Sequence, residues 1–196
     1  MNLIPQLLRT LLASVVVLTM VASTPGADKY VGQCDVVFAG DSTLHAFTGN
    51  ITNIMLVVFC DTNASGAATL STRLEIAPKQ LTTHSPKRDA NMYEMFQQDR
   101  FPKLVAVVTN ALLAAAKPSP SESQAPGTVP VQLTFCGITR EVPAKTFNPK
   151  ALKDGWEFDL QADLSLKSFK LEPPSAMFGV ISVDDTVKVK AHIKVQ

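Results

Sequence analysis

The stretch Trp156–Leu166, WEFDLQADLSL, alternates without a slip. Trp156, Phe158, Leu160, Ala162, Leu164 and Leu166 fall on one side of an extended chain; Glu157, Asp159, Gln161, Asp163 and Ser165 fall on the other. Successive strand side chains point to opposite faces, so this reads as a strand with one face buried and one in water, the signature of an antiparallel sheet. Val187–Val195 repeats the pattern, with Val187, Val189, Ala191, Ile193 and Val195 opposite Lys188, Lys190, His192 and Lys194. Ser71–Ala77 sets Thr72, Leu74 and Ile76 against Arg73 and Glu75. Ile51–Phe59, Lys103–Leu113 and Val129–Phe135 are further strands, more uniformly apolar, and the 13 prolines and 9 glycines of the chain favour many short strands over long helices.

One segment leaves the two-residue period. In Ser85–Arg100 the residues Met92, Met95 and Phe96 recur at helical spacing, with Ser85 or Asp89 as N-cap, Pro86 tolerated in the first turn and Pro102 forbidding continuation. A short helix across one end of a barrel accounts for it. Ala114–Thr128, rich in proline and serine, lies between two strands and reads as a solvated hairpin loop. The predicted fold is all-β: an antiparallel barrel with one short helix. About eight strands leave room inside for one small ligand.

The chain opens on a basic Met1–Arg9, an apolar Thr10–Ser23 too short for a comfortable span, and small residues at Ala22, Ser23, Gly26 and Ala27. That is the layout of a secretory signal peptide, 1–27, with cleavage after Ser23 or Ala27 fitting equally well. A single domain, 28–196, follows, with a periplasmic or secreted location and no stable membrane span after cleavage. With Arg9 set aside, 17 basic residues remain against 17 acidic ones. This balance offers no basic field for nucleic acid.

Cys34 and Cys60 flank Thr48-Gly49-Asn50 at similar distances. If the chain doubles back there, they bridge the first two strands, for roughly 3 kcal/mol of stabilisation; a fully reduced set with Cys136 is the alternative. Phe38, Phe59, Leu74, Ile76, Phe135, Phe158 and Leu160 are inward candidates for a pocket wall, with Met92, Met95 and Phe96 as lid lip or plain core, one sequence signature serving both. A tunnel so lined suits an extended hydrocarbon chain, each methylene contributing roughly 0.8 kcal/mol.

Four stretches resemble the YceI-like family of periplasmic polyisoprenoid-binding proteins: Asp41–Gly49 (DSTLHAFTG); Arg88-Asp89 with Met92 and Phe101-Pro102; Leu133–Arg140 (LTFCGITR); and Phe169, Pro173-Pro174, Gly179 and Val183–Asp185 near the end. The chain departs from the family's usual pattern at Val131 and at Lys167–Lys170. The resemblance implies a lipocalin-like barrel holding an isoprenoid or related lipid, with that lipid as ligand and no cofactor; a homodimer stays open.

Catalysis needs a nucleophile, a base and an orienting carboxylate. His45 has Ser42 and Asp41 nearby but no nucleophile elbow around it; His84 sits in the approach to the helix and His192 on a lysine-bearing strand face, where solvation is the plain reading. The histidines and cysteines lack metal-ligand spacing, so no metal is expected. The sequence therefore predicts a lipid-binding protein and not an enzyme. Next in rank come an envelope interaction protein with a side-chain-filled barrel and, last, a lipid-acting enzyme using His45.

Overall fold

The computed structural model describes residues 27–62, 68–112, 127–176 and 181–196. The predicted leader, apart from Ala27, and most of the loop predicted at Ala114–Thr128 lie outside them. The strands are β1 Asp28–Ser42, β2 Phe47–Thr62, β3 Ala68–Ile76, β4 Leu104–Leu112, β5 Thr128–Phe135, β6 Ile138–Leu152, β7 Gly155–Ser165, β8 Ser175–Ala176 and β9 Ile181–Val195; the helix α1, Pro86–Met95, lies between β3 and β4. β1 to β7 pair in sequence, all antiparallel, and β9 pairs with β7 on one side and β1 on the other. Eight strands thus close into a barrel, with the two-residue β8 attached to β9 outside the ring.

The alternating stretches behave as their periods demand. Leu164, Val187, Ile193 and Val195 are buried. On the outer face the acids of β7 meet the bases of β9 in register, Glu157 opposite Lys194, Asp159 opposite His192 and Asp163 opposite Lys188. β6 was not legible, because Pro143 and Pro149 interrupt its pattern. Pro143 faces Pro130 of β5, and the ladders to their outer neighbours stop short of both, at Gln132 and Lys145. A residue without an N–H sits where no ladder requires one.

Three even-numbered strands each carry an extra residue at an asparagine with left-handed backbone: Asn53 in β2 (φ 59°), Asn110 in β4 (φ 51°) and Asn148 in β6 (φ 51°). Each bulge is tied to the neighbouring strand. The Asn53 N–H donates to Asp35 Oδ1 at 2.7 Å, the Asn110 N–H to Ser71 Oγ at 3.0 Å, and Asn148 Nδ2 to Asp159 Oδ2 at 2.8 Å. Asparagine tolerates this conformation better than other side chains, and the bulge deepens local twist, which helps the sheet curl shut.

The bulge at Asn53 corrects one sequence reading. Upstream of it Gly49 and Ile51 are buried; downstream the buried set becomes Ile54, Leu56 and Val58. Phe59, expected inside, follows the other phase and is 47% exposed on the outer surface. The disulfide is corrected too. The first hairpin turns earlier than expected, with Gly40 opposite Phe47, so Cys34 pairs with Ile54 and Cys60 with Asp28. Six residues of strand, roughly 20 Å, separate the two thiols, far beyond bridging reach, and all three cysteines are free.

Asp159 is the most enclosed acid of the outer face, 5% exposed. Burial would raise its pKa. Hydrogen bonds from His192 Nδ1 at 2.8 Å, Lys190 Nζ at 2.9 Å and Asn148 Nδ2 outweigh that and hold the carboxyl at about 2. His192 is therefore paired, not merely solvated.

Two outcomes follow from these contacts. Asn53→Val should destabilise by about 1–2 kcal/mol in urea unfolding, because a β-branched residue is strained in the left-handed region, and Asn53→Gly should be close to neutral; equal losses would remove the backbone argument. A carboxyl depressed from 3.8 to about 2 on folding stabilises fully above about pH 4 and loses that contribution as pH falls toward 2. Asp159→Asn should flatten this part of the stability–pH curve by about 2 kcal/mol, as chemical denaturation at each pH will register.

Candidate functional site

The barrel encloses a cavity of about 520 Å³ that opens at one end, within the range of small-molecule sites. Its wall is built from inward residues of successive strands, among them Val36 and Phe38 of β1, Leu74 and Ile76 of β3, Ala106 of β4, Leu133 and Phe135 of β5, Leu160 and Ala162 of β7, and Val189 and Ala191 of β9. Along β9 the lining runs from Val187 to Ile193, roughly 20 Å of strand. The small side chains Ala106, Ala144, Ala162 and Ala191 keep the centre open.

The mouth lies between the β1–β2 turn, the N-terminal half of α1 and the start of β9, and is rimmed by Ser42, Leu44, His45, Lys87, Arg88, Asn91, Pro174 and Val183. The rest of that end is sealed. Phe96, which ends α1, packs edge-on against Phe135 at 5.8 Å between ring centroids, and Phe135 lies 4.6 Å from Phe169, itself 1% exposed. The 3-10 turn Lys167–Phe169 that carries it is pinned by Asp185, which accepts hydrogen bonds from Ser165 Oγ at 2.6 Å and the Lys167 N–H at 2.7 Å. These hydrogen bonds, chiefly the one from Ser165, hold the Asp185 carboxyl below its usual value.

Helix α1 is held to the barrel by polar contacts. Thr82 and Asn50 exchange backbone hydrogen bonds of 3.0 and 2.8 Å, stitching the approach to the helix onto β2. Asp89, in the first turn, accepts from Thr83 N–H at 2.7 Å, Thr83 Oγ1 at 2.5 Å and Thr82 Oγ1 at 2.9 Å. Burial works to raise its pKa, but these three bonds prevail and lower it. Ser85 occupies the N-cap position and Pro86 opens the helix; Asp89, offered as an alternative cap, is instead the anchor. Tyr93 Oη donates to the Leu81 carbonyl at 2.7 Å.

The DSTLHAFTG stretch has a packing explanation. Phe38 lies opposite Gly49 and Gly40 opposite Phe47, so each ring lies over a glycine across the strand. A Cβ on Gly49 would sit 2.2 Å from the Phe38 ring and 2.6 Å from the Thr82 carbonyl, closer than atoms approach. LTFCGITR is the β5–β6 hairpin. Cys136 (φ 49°) and Gly137 (φ 75°) form its two-residue turn, and positive φ at both central residues gives the turn that matches strand twist. The Cys136 thiol points to the Phe96 carbonyl at 3.1 Å.

Of the residues expected at the pocket, Phe38, Leu74, Ile76, Met92, Met95, Phe96, Phe135 and Leu160 line the cavity, and Phe59 and Phe158 do not. Phe158 faces inward opposite Ile193 and packs on the core at the closed end, near Tyr30 and Trp156, whose rings lie 4.5 Å apart. Alternation gave its face but not its depth along the barrel. Met92 and Phe96 serve as both core and cavity wall. Cys34 lines the deep part, and burial, its main cause, pushes the thiol up to about 12. Sequence reading missed Val131, Ala144 and Ala106, which lie in strands without clean alternation, and the rim cations Lys87 and Arg88. The alternation of Val187–Val195 did carry the signal for Val189 and Ala191.

The Asp41–Ser42–His45 grouping does not form a nucleophile–base pair. Ser42 Oγ donates to the His45 main-chain carbonyl at 2.8 Å and accepts from the His45 N–H at 3.3 Å, so it shapes the turn. His84 is exposed, with φ 57° and its N–H donated to Thr82 Oγ1. Among the described residues no group of three or more His, Cys, Asp or Glu is placed to hold a metal, and no helix is long and apolar enough to cross a membrane.

A closed eight-stranded antiparallel barrel with a single-ended apolar cavity defines a lipocalin-like class of protein. The sequence profile of the YceI-like domain matches residues 32–195, and the chain belongs to that family. Solved structures share the fold. A polyisoprenoid binding domain from Saccharophagus degradans implicated in plant cell wall breakdown superposes with a TM-score of 0.59 at 14% identity, covering 87% of this chain and 98% of its own. BcnA of Burkholderia cenocepacia gives 0.54 at 13% identity, covering 83% and 96%, and a YceI protein of Campylobacter jejuni gives 0.51 at 15%, covering 76% and 84%. None of the curated proteins matches the chain.

The anchor is open to a direct check. Asp89→Ala removes a charged acceptor and leaves the Thr83 N–H without its partner, so it should cost about 2–3 kcal/mol. Amide exchange should quicken across α1 while the β7 and β9 amides keep their protection. Uniform loss of protection over the barrel would show that Asp89 holds the whole fold and not the helix.

Proposed function

We propose that this protein binds a long apolar lipid, an isoprenoid or a related chain, reversibly and without chemical change, and stores or carries it in a periplasmic or secreted compartment. The cavity carries the reading: about 520 Å³ of space walled by aliphatic and aromatic side chains and open at one end. Each methylene drawn from water into such a space contributes roughly 0.8 kcal/mol. Membership of the YceI-like family and the likeness to the Saccharophagus polyisoprenoid binding domain support the same ligand class. The compartment rests on the leader-like opening of the sequence.

The rival reading, a barrel filled with its own side chains and used as an interaction surface, loses ground to the cavity. The enzyme reading loses ground to the turn-forming role of Ser42.

Native mass spectrometry of protein purified without detergent is expected to show a discrete adduct that extracts as a long-chain isoprenoid or quinone. Ala162→Phe, which places a ring in the cavity, should keep the melting temperature and lower lipid uptake severalfold. A bare mass with no uptake from a panel of isoprenols, quinones and fatty acids would move the assignment to the interaction protein.

A further inference from the structure

The cavity ends inside the barrel, and the residues that end it can be followed strand by strand. Among the described residues the lining reaches no deeper than Leu56 on β2, Ala144 on β6, Leu160 on β7 and Ile193 on β9. The next inward residues, two positions further along each strand, are Val58, Thr146, Phe158 and Val195, and none of them lines the space. Val58, Thr146 and Val195 are buried, and Phe158, opposite Ile193, packs on the core and is the bulkiest of this layer. Behind the layer the barrel is laced shut. Val31 and Gln196 exchange backbone hydrogen bonds of 3.0 and 3.1 Å. A Cβ on Gly32 would sit 2.0 Å from the Lys194 carbonyl oxygen, and one on Gly155 1.9 Å from that of Val195, closer than atoms approach. The Tyr30 and Trp156 rings lie 4.5 Å apart at the same end. A floor packed in this way does not yield to a chain pressing on it.

Length and volume give the same capacity. Along β9 the lining from Val187 to Ile193 covers roughly 20 Å of strand. An extended isoprene unit adds four carbon–carbon bonds of about 1.5 Å each, roughly 5 Å of length, so about four units fit. By volume, the cavity of about 520 Å³ holds roughly 17 groups of about 30 Å³, the share of a water molecule and close to that of a methylene. We propose that the barrel selects its occupant by chain length, enclosing about four isoprene units above the floor at Phe158, so that its ligand is a short prenyl chain and not a long polyprenyl one. The proposal rests on the lipid-binding reading above and adds the length of the chain. A longer chain leaves its remaining units outside the barrel, where their methylenes forgo the transfer out of water that drives binding.

The test is extraction from phosphatidylcholine vesicles that carry farnesol, geranylgeraniol and solanesol, with three, four and nine isoprene units, in equal amounts. The purified protein is equilibrated with the vesicles and separated from them, and the alcohols it holds are quantified. Geranylgeraniol should be recovered about tenfold more than solanesol, because the bilayer covers all of the longer chain and the barrel only part of it. Ala144→Phe, which sets a ring one layer above the floor, should keep farnesol and lose geranylgeraniol severalfold. Phe158→Ala, which lowers the floor, should admit the five-unit alcohol geranylfarnesol, which the wild type takes up poorly. Solanesol recovered as fully as geranylgeraniol, or a length limit that does not move in Ala144→Phe, would overturn the proposal. If Phe158→Ala does not fold, Ala144→Phe alone decides, since its ring enters space that is already open. Recovery of none of the three alcohols by the wild type would overturn the lipid reading itself, an outcome distinct from uptake without regard to length.

Discussion

Strand β9 is hydrogen-bonded along both edges, to β7 from Trp156 to Ser165 and to β1 from Gly32 to Ser42, and this double pairing turns a sheet into a barrel. Everything else depends on it. Closure gives each of the eight ring strands a partner on both sides and sets their curvature. It also fixes an interior wider than side chains of alanine and valine size can fill. The same strand presents aliphatic residues inward and lysines outward, so one alternating stretch supplies core, cavity wall and half of the outer charge ladder.

The bulges at Asn53, Asn110 and Asn148 are the complement of that closure. Each lets an even-numbered strand bend while its neighbour supplies a polar partner, and the Asn148 bulge shares Asp159 with His192 and Lys190. The open end is handled differently. An aromatic cluster of Phe96, Phe135 and Phe169 seals part of it, and Asp89 and Asp185 fix the segments that bring those rings in. What stays open is a mouth with an apolar tip, Leu44 at 64% exposure, beside two cations.

The fold was legible because β7 and β9 alternate cleanly, and the helix because Met92, Met95 and Phe96 break that period between two prolines. Half-wet strands declare their faces; uniformly apolar ones do not, which is why Val131 and Ala106 went unseen as cavity wall. Phe59 was misread because one residue inserted at Asn53 inverts every face beyond it, and an isolated sequence does not display the insertion. Phe158 shows a second limit, since period gives the face of a residue and not its height along the barrel. The rim cations were hidden for a third reason: they sit on the polar side of a short helix, where lysine and arginine are ordinary, and only the closed barrel brings them to a mouth.

The proposed seat of the lipid chain is the space inside the barrel. The most direct measurement is the crystal structure of the protein grown with geranylgeraniol, a neutral isoprenoid whose placement does not depend on the charge at the rim. Continuous density is expected for an extended chain entering between Leu44 and Asn91 and running past Leu160 and Ala191 toward Ile193. A chain lodged on the outer surface, or a barrel collapsed on its own side chains with the lipid absent, would contradict that placement.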